Sequence, residues 1–104
     1  MYLLDKPSQV DKIIEMINDK PGDFSLIDSL YIFGSILVDD VISNDVDVLV
    51  VCKDYSQKTS MQLHGLSLLI QDITGLSVDY TKLSERELEE TDFLRRIKNY
   101  IKVK

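Results

Sequence analysis

Several things are scarce in this chain of 104 residues, and each scarcity excludes something. There is one cysteine, Cys52, so no intramolecular disulfide can form and no Cys-based zinc site can be built. Cys52 lies in an apolar stretch and reads as a small core residue. There is one histidine, His64, in a leucine-rich segment where a packing or surface role is expected over a catalytic one. No apolar run approaches the ~20 residues of a membrane span. The N-terminal MYLLDKP is too short in apolar residues for a signal peptide, which makes the cytoplasm the expected compartment. There are no internal repeats and no low-complexity segments. Neither a P-loop nor a dinucleotide fingerprint occurs, and HGLSL misses the last glycine of a nucleophile elbow.

Positive charge is also in deficit. Twelve Lys and Arg stand against 18 Asp and Glu, for a net charge of −6. A free-standing nucleic-acid binder normally carries a basic footprint, so direct nucleic-acid binding is not expected. The one basic cluster, Arg95, Arg96, Lys98, Lys102 and Lys104, reads as favourable charge near a helix C-terminus, or else as a nucleic-acid stripe. Hydrophobic content of 44% with 29% charged residues is that of an ordinary globular domain, and the length suits one domain, residues 1–104.

Periodicity gives the elements. Val10, Ile13, Ile14 and Ile17 share one helical face, predicting a helix from Ser8 to about Asp19, with Ser8 and Asp11 as a capping pair and Pro21-Gly22 as the stop. Residues 23–29 are ambiguous. Leu30–Phe33 reads as a strand, Ile36 to about Val41 as a short helix, and Val46–Cys52 as a strand buried on both faces. A polar connection then leads to a helix capped by Thr59 with Gln62, running to Thr74 and stopped by Gly75. Leu76 to about Thr81 is a third strand, with Val78 and Tyr80 on one face and Asp79 on the other. Ser84 with Glu87 caps a last helix to about Lys102, striped by Phe93, Ile97, Tyr100 and Ile101; Glu85, Glu87, Glu89 and Glu90 suit its first turns. The order α-β-α-β-α-β-α predicts an α/β (α+β) fold, a small mixed sheet with helices packed on it.

The segment YIFGS-ILVDDVISN-DVDVLVV carries the chemistry. Asp45 and Asp47 alternate along a strand, so they share a face roughly 6–7 Å apart. Gly34 ends the preceding strand, where a glycine lets backbone approach a ligand. Ser35 adds a hydroxyl, and the N–H groups that follow favour a phosphate. Two carboxylates beside such a turn suit a Mg²⁺-nucleotide site. Each piece also has a plainer reading: strand-start acids that cap a loop, an ordinary Gly-Ser turn with Ser35 as N-cap, and Asp79 as a strand acid facing solvent.

Gly-Ser, nine residues, Asp-x-Asp on an apolar strand and one Asp on a later strand together resemble the nucleotidyltransferase superfamily that includes DNA polymerase beta. The length and layout resemble its minimal branch, frequently the antitoxin partner of a HEPN-domain toxin. The final stretch, TKLSERELEETDFLRRIKNYIKV, is similar to the last helix of those proteins. The resemblance implies a nucleotidyltransferase fold. Gly34 and Ser35 would hold the triphosphate of ATP or another NTP. Asp45 and Asp47 would ligate two Mg²⁺ ions, and Asp79 would ligate one of them and act on the attacking hydroxyl. The implied reaction moves a nucleoside monophosphate, AMP in the antitoxin branch, onto a hydroxyl, there a tyrosine of the HEPN toxin. A domain this small implies a protein partner or a homo-oligomer to complete it. The sequence departs from that branch in having no Lys or Arg between Gly34 and Lys53, a spacer one residue short, and Asp39 and Asp40 where phosphates would lie. Those departures favour an alternative: an antitoxin or regulatory binding module that keeps the fold and sequesters its partner. A third reading takes the motifs as coincidence in a small α/β protein.

Overall fold

A computed structural model describes residues 6–38 and 42–104. Its elements are helix α1 (Lys6–Asp19), a 3₁₀ turn (Pro21–Phe24), strand β1 (Ser29–Phe33), a second 3₁₀ turn (Gly34–Leu37), β2 (Asp45–Val51), α2 (Gln57–Thr74), β3 (Ser77–Leu83), α3 (Glu85–Thr91), α4 (Phe93–Ile97) and β4 (Tyr100–Lys102). The sheet is mixed, in the order β3-β2-β1-β4. β1 is antiparallel to both β2 and β4, and β2 is parallel to β3 through the α2 crossover.

Both faces of the sheet are covered, which is why β2 is apolar almost throughout. On one face Leu30, Ile32, Val46, Val48, Val50 and Cys52 pack with Val10, Ile13 and Ile17 of α1 and Leu63, Leu66 and Ile70 of α2. Tyr80 belongs to that face; its hydroxyl reaches the Leu63 carbonyl (2.7 Å) and the Ser67 hydroxyl (2.8 Å). Burial pushes this phenol up to about 12, so it stays protonated and ties β3 to α2. On the other face Tyr31, Leu49 and Val51 form a smaller cluster with Phe33, Leu83, Leu88, Phe93 and Leu94. Among the described residues no helix is long and apolar enough to cross a membrane.

The expected α/β architecture with a small mixed sheet is present, and four local expectations need correction. α1 begins at Lys6, so Ser8 lies inside the first turns and is not its N-cap. The short helix expected over Ile36–Val41 is a 3₁₀ turn over Gly34–Leu37; Val38 is already extended, and residues 39–41 lie outside the described set. α2 starts earlier than its expected cap: Ser56 is the N-cap and accepts from the Thr59 N–H at 3.3 Å, while Thr59 is buried inside the helix. Gln62 is engaged elsewhere, its carbonyl accepting from the Leu26 N–H and its amide donating to Ser25.

The fourth correction is the largest. The helix expected from Ser84 to Lys102 starts as foreseen, with a complete capping box between Ser84 and Glu87. It then breaks twice, at Asp92 (φ 53°) and Lys98 (φ 63°), and the chain returns as β4. Tyr100 and Ile101, read as part of a helical stripe, pair instead with Phe33 and Ile32. Val103 enters the main core, and its N–H donates to the Leu30 carbonyl at 2.8 Å. The Lys104 ammonium donates to the Ile27 carbonyl. Burial and an added ladder outweigh helix propensity here.

Gly75 ends α2 at φ 73° with its N–H on the Gln71 carbonyl, and a Cβ there would meet nothing within 4 Å. Gly75→Ala is therefore expected to cost only the left-handed backbone strain of about 1–2 kcal/mol. That lowers the melting temperature by roughly 4–8 °C per kcal/mol in a domain near this size, readable by calorimetry.

Candidate nucleotide and metal site

The candidate residues converge at one end of the sheet. β2 opens with Asp45; two residues on, Asp47 sits opposite Phe33 of β1 on one side and Asp79 of β3 on the other. Neighbouring strands run about 4.8 Å apart, so Asp47 and Asp79 are direct neighbours across a parallel pair. Alternation puts Asp45, Asp47 and Asp79 on the face of the smaller cluster, just beyond Leu49 and Val51. Asp45 and Asp79 are exposed and Asp47 is half-buried.

Gly34 follows Phe33 and turns the chain at φ 85°. A Cβ built on it would lie 2.2 Å from the Asp47 Oδ2 and 3.2 Å from its Cγ. The carboxylate thus occupies the space that any other residue's side chain would take, and only glycine admits it. Ser35 is the next residue of the same turn, whose backbone closes with the Val38 N–H on the Ser35 carbonyl at 3.0 Å. The Ser35 hydroxyl donates to the Ser43 hydroxyl at 3.2 Å. Ser43 is buried and lies two residues before Asp45, so it couples the Gly-Ser turn to the start of β2. No motif marks Ser43 in the sequence; its place two residues before Asp-x-Asp is the one local hint.

Electrostatics mark Asp47. Its carboxyl titrates above the ordinary 3.8, first because burial disfavours the charged form, then through repulsion by Asp79 and by Asp45. Such a position invites a cation. Among the described residues no group of three or more His, Cys, Asp or Glu side chains is placed to hold a metal ion by itself. Mg²⁺, where a protein binds it, is commonly held by one or two carboxylates, with phosphate oxygens and water completing the shell. All-oxygen donors and like-charge crowding would fit a hard divalent ion, were one bound here.

His64 stands apart, exposed on α2. A cleft of about 760 Å³ also opens away from the acids, between α1, the Pro21–Phe24 turn and α2, with Met16, Phe24, Met61 and Leu68 among its walls.

Comparison with known proteins bears on the family and the fold. The family described as nucleotidyltransferase domain matches residues 10–103. A solved structure of tri-AMPylated Shewanella oneidensis HEPN toxin in complex with MNT antitoxin contains a similar chain, at 17% identity and a TM-score of 0.55, covering 95% of this chain and 71% of that one. A putative nucleotidyltransferase from Sulfolobus solfataricus is 22% identical, with a TM-score of 0.48 over 94% of this chain and 81% of its own. No curated protein sequence matches significantly.

Two outcomes follow from the crowding at Asp47. The native carboxyl binds its proton more tightly than the unfolded one, so between 3.8 and its raised native value the folded state holds more protons and stability falls as pH rises. At neutral pH, without divalent cations, Asp47→Asn is expected to melt above the unsubstituted protein, with the gap closing as pH drops toward 3.8. Gly34→Ala is expected to lose more stability than Gly75→Ala, because overlap with the Asp47 carboxylate adds to the same backbone strain; denaturant melts of the two variants give the comparison.

Proposed function

The chain belongs to the nucleotidyltransferase domain family, and from that premise we propose that residues 1–104 act as one minimal domain that transfers a nucleoside monophosphate, AMP from ATP, to a hydroxyl on a protein partner. The observation that carries the proposal is the packing of Asp47 against Gly34 with Asp45 and Asp79 on the same face. The fold's likeness to a chain from the complex of an AMPylated HEPN toxin with an MNT antitoxin suggests the partner class, a HEPN-domain toxin whose tyrosine is the acceptor. The setting would be cytoplasmic.

In this reading Gly34 and Ser35 receive the triphosphate: the glycine lets backbone come close, the N–H groups of the turn are its donors, and the Ser35 hydroxyl joins them by turning from Ser43. Asp45, Asp47 and Asp79 would hold two Mg²⁺ ions, which when bound activate the acceptor oxygen and neutralise charge on the leaving pyrophosphate. Asp79, exposed on the neighbouring strand, takes the proton of the acceptor hydroxyl. The acceptor oxygen bonds to the α-phosphorus as the bond to the β-phosphate oxygen breaks, and pyrophosphate departs. The acidic surface, net −6, suits a basic protein partner better than free nucleic acid.

One observation favours a second reading. With no Lys or Arg between Gly34 and Lys53, the same fold would serve as a module that neutralises its partner by binding alone.

The experiment is incubation with labelled ATP, Mg²⁺ and a HEPN-domain protein from the same genome. Label on a partner tyrosine is the expected result. Asp45→Asn with Asp47→Asn should reduce labelling by more than the roughly 100-fold typical of losing a supporting group around a metal. Binding without label, and neutralisation undiminished in the double variant, would establish the second reading instead.

A further inference from the structure

A triphosphate on the Gly34-Ser35 turn would add several negative charges beside Asp45, Asp47 and Asp79, while residues 36–52 contain no Lys or Arg. Positive charge reaches this end of the sheet from the far end of the chain. β4 pairs antiparallel with β1, and its first residue, Tyr100, stands opposite Phe33. Lys98 and Asn99 therefore precede β4 at the end of the sheet where Gly34 and Ser35 follow β1, with the paired strands about 4.8 Å apart. Tyr100 marks the face as well: its ring meets Tyr31 edge-on at 5.6 Å, and Tyr31 belongs to the cluster on the side of the acids. Just before Lys98, α4 crosses that side, with Phe93 edge-on to Phe33 at 5.6 Å.

Lys98 is held there in an unusual way. Its backbone is at φ 63° and ψ −59°, and the Asn99 N–H closes onto the Ile97 carbonyl at 2.7 Å. This is the rare, strained form of γ-turn. Glycine would take this conformation with little strain, yet the chain has lysine. Strained backbone of this kind collects where function holds a side chain in place. Three of the neighbouring cations are engaged: Arg95 pairs with Asp92, Lys102 lies over the Tyr31 ring, and Lys104 donates to the Ile27 carbonyl; Arg96 is exposed on α4, outside the strained turn. Lys98 is exposed and makes no ion pair among the described residues.

We infer that Lys98 is a phosphate-binding residue for the nucleotide, its ammonium meeting the triphosphate on the Gly34-Ser35 turn and supplying from the turn before β4 the positive charge that residues 36–52 lack. The inference rests on the nucleotidyltransferase reading above. It assigns a role to the strained turn, which sets a cation at the site's edge without placing it among the acids.

The test is titration of Mg-ATP and AMP into the protein and into Lys98→Gly and Lys98→Arg, by calorimetry. Lys98→Gly keeps the turn and relieves its strain, so it is expected to fold at least as stably. Its affinity for Mg-ATP should fall roughly tenfold or more, the loss of one charge-assisted contact, with AMP binding little changed. Lys98→Arg should stay within a few-fold of the unsubstituted protein for Mg-ATP. Equal Mg-ATP affinity in the protein and in Lys98→Gly would overturn this inference alone. Equal loss in Lys98→Arg and Lys98→Gly would assign the effect to the backbone and overturn it too. Failure of the unsubstituted protein to bind Mg-ATP would overturn the functional reading and this inference with it.

Discussion

The contact of the Asp47 carboxylate with the α-carbon of Gly34 is the constraint around which this molecule is arranged. A half-buried carboxylate with two more on the same face is an unfavourable thing to fold around: burial and repulsion by Asp79 and Asp45 all oppose its charge. The recess exists because Gly34 has no side chain, and a methyl group would sit 2.2 Å from an Asp47 oxygen. In the proposed function a cation and a phosphate would give that arrangement a purpose that packing alone does not. Stability given up at one point for a preorganised charge is the usual trade at functional sites.

The rest of the scaffold holds this point in place. β2 is clamped between β1 and β3, and its residues beyond Asp47 are buried on both faces, so the acids cannot retreat by slipping register. A one-residue slip would carry Asp47 into the main core and Val48 out of it. α1 and α2 cover one face and α3 and α4 the other, leaving the acid-bearing end of the sheet open. The connection from the Gly-Ser turn back to β2 is stitched by Ser35 to buried Ser43. Charge across the site is asymmetric: Asp45, Asp47 and Asp79 on β2 and β3, the glycine turn in the middle, and Lys98 and Lys102 at the β4 edge.

Much of this was legible in the sequence because local signals agreed with the fold. The α1 stripe, the apolar run of β2, the Gly75 stop and the Ser84–Glu87 capping box each mark an element correctly. The Asp-x-Asp spacing guarantees a shared face on any strand, and the glycine before it signals close approach. What failed did so for physical reasons. Ser56-x-x-Thr59 and Thr59-x-x-Gln62 are overlapping cap patterns, and only burial of Thr59 decides between them. Phe93, Ile97, Tyr100 and Ile101 fit a helical stripe as well as they fit a turn and a strand. The break at Lys98 depends on pairing with β1, some 65 residues away in sequence, and on a backbone conformation that lysine does not advertise. Strand direction, and hence the meeting of Asp47 with Asp79, also came only with the tertiary fold.

The central claim is that the carboxylates of β2 and β3 and the Gly34-Ser35 turn form one metal–nucleotide site. Anomalous diffraction from crystals grown with Mn²⁺ and a non-hydrolysable ATP analogue tests it most directly. The expected result is a manganese peak at bonding distance from Asp45 and Asp47, with the triphosphate lying along Gly34 and Ser35. Bound analogue elsewhere, for instance in the cleft walled by Met16, Met61 and Leu68, with no manganese at the acids, would contradict it.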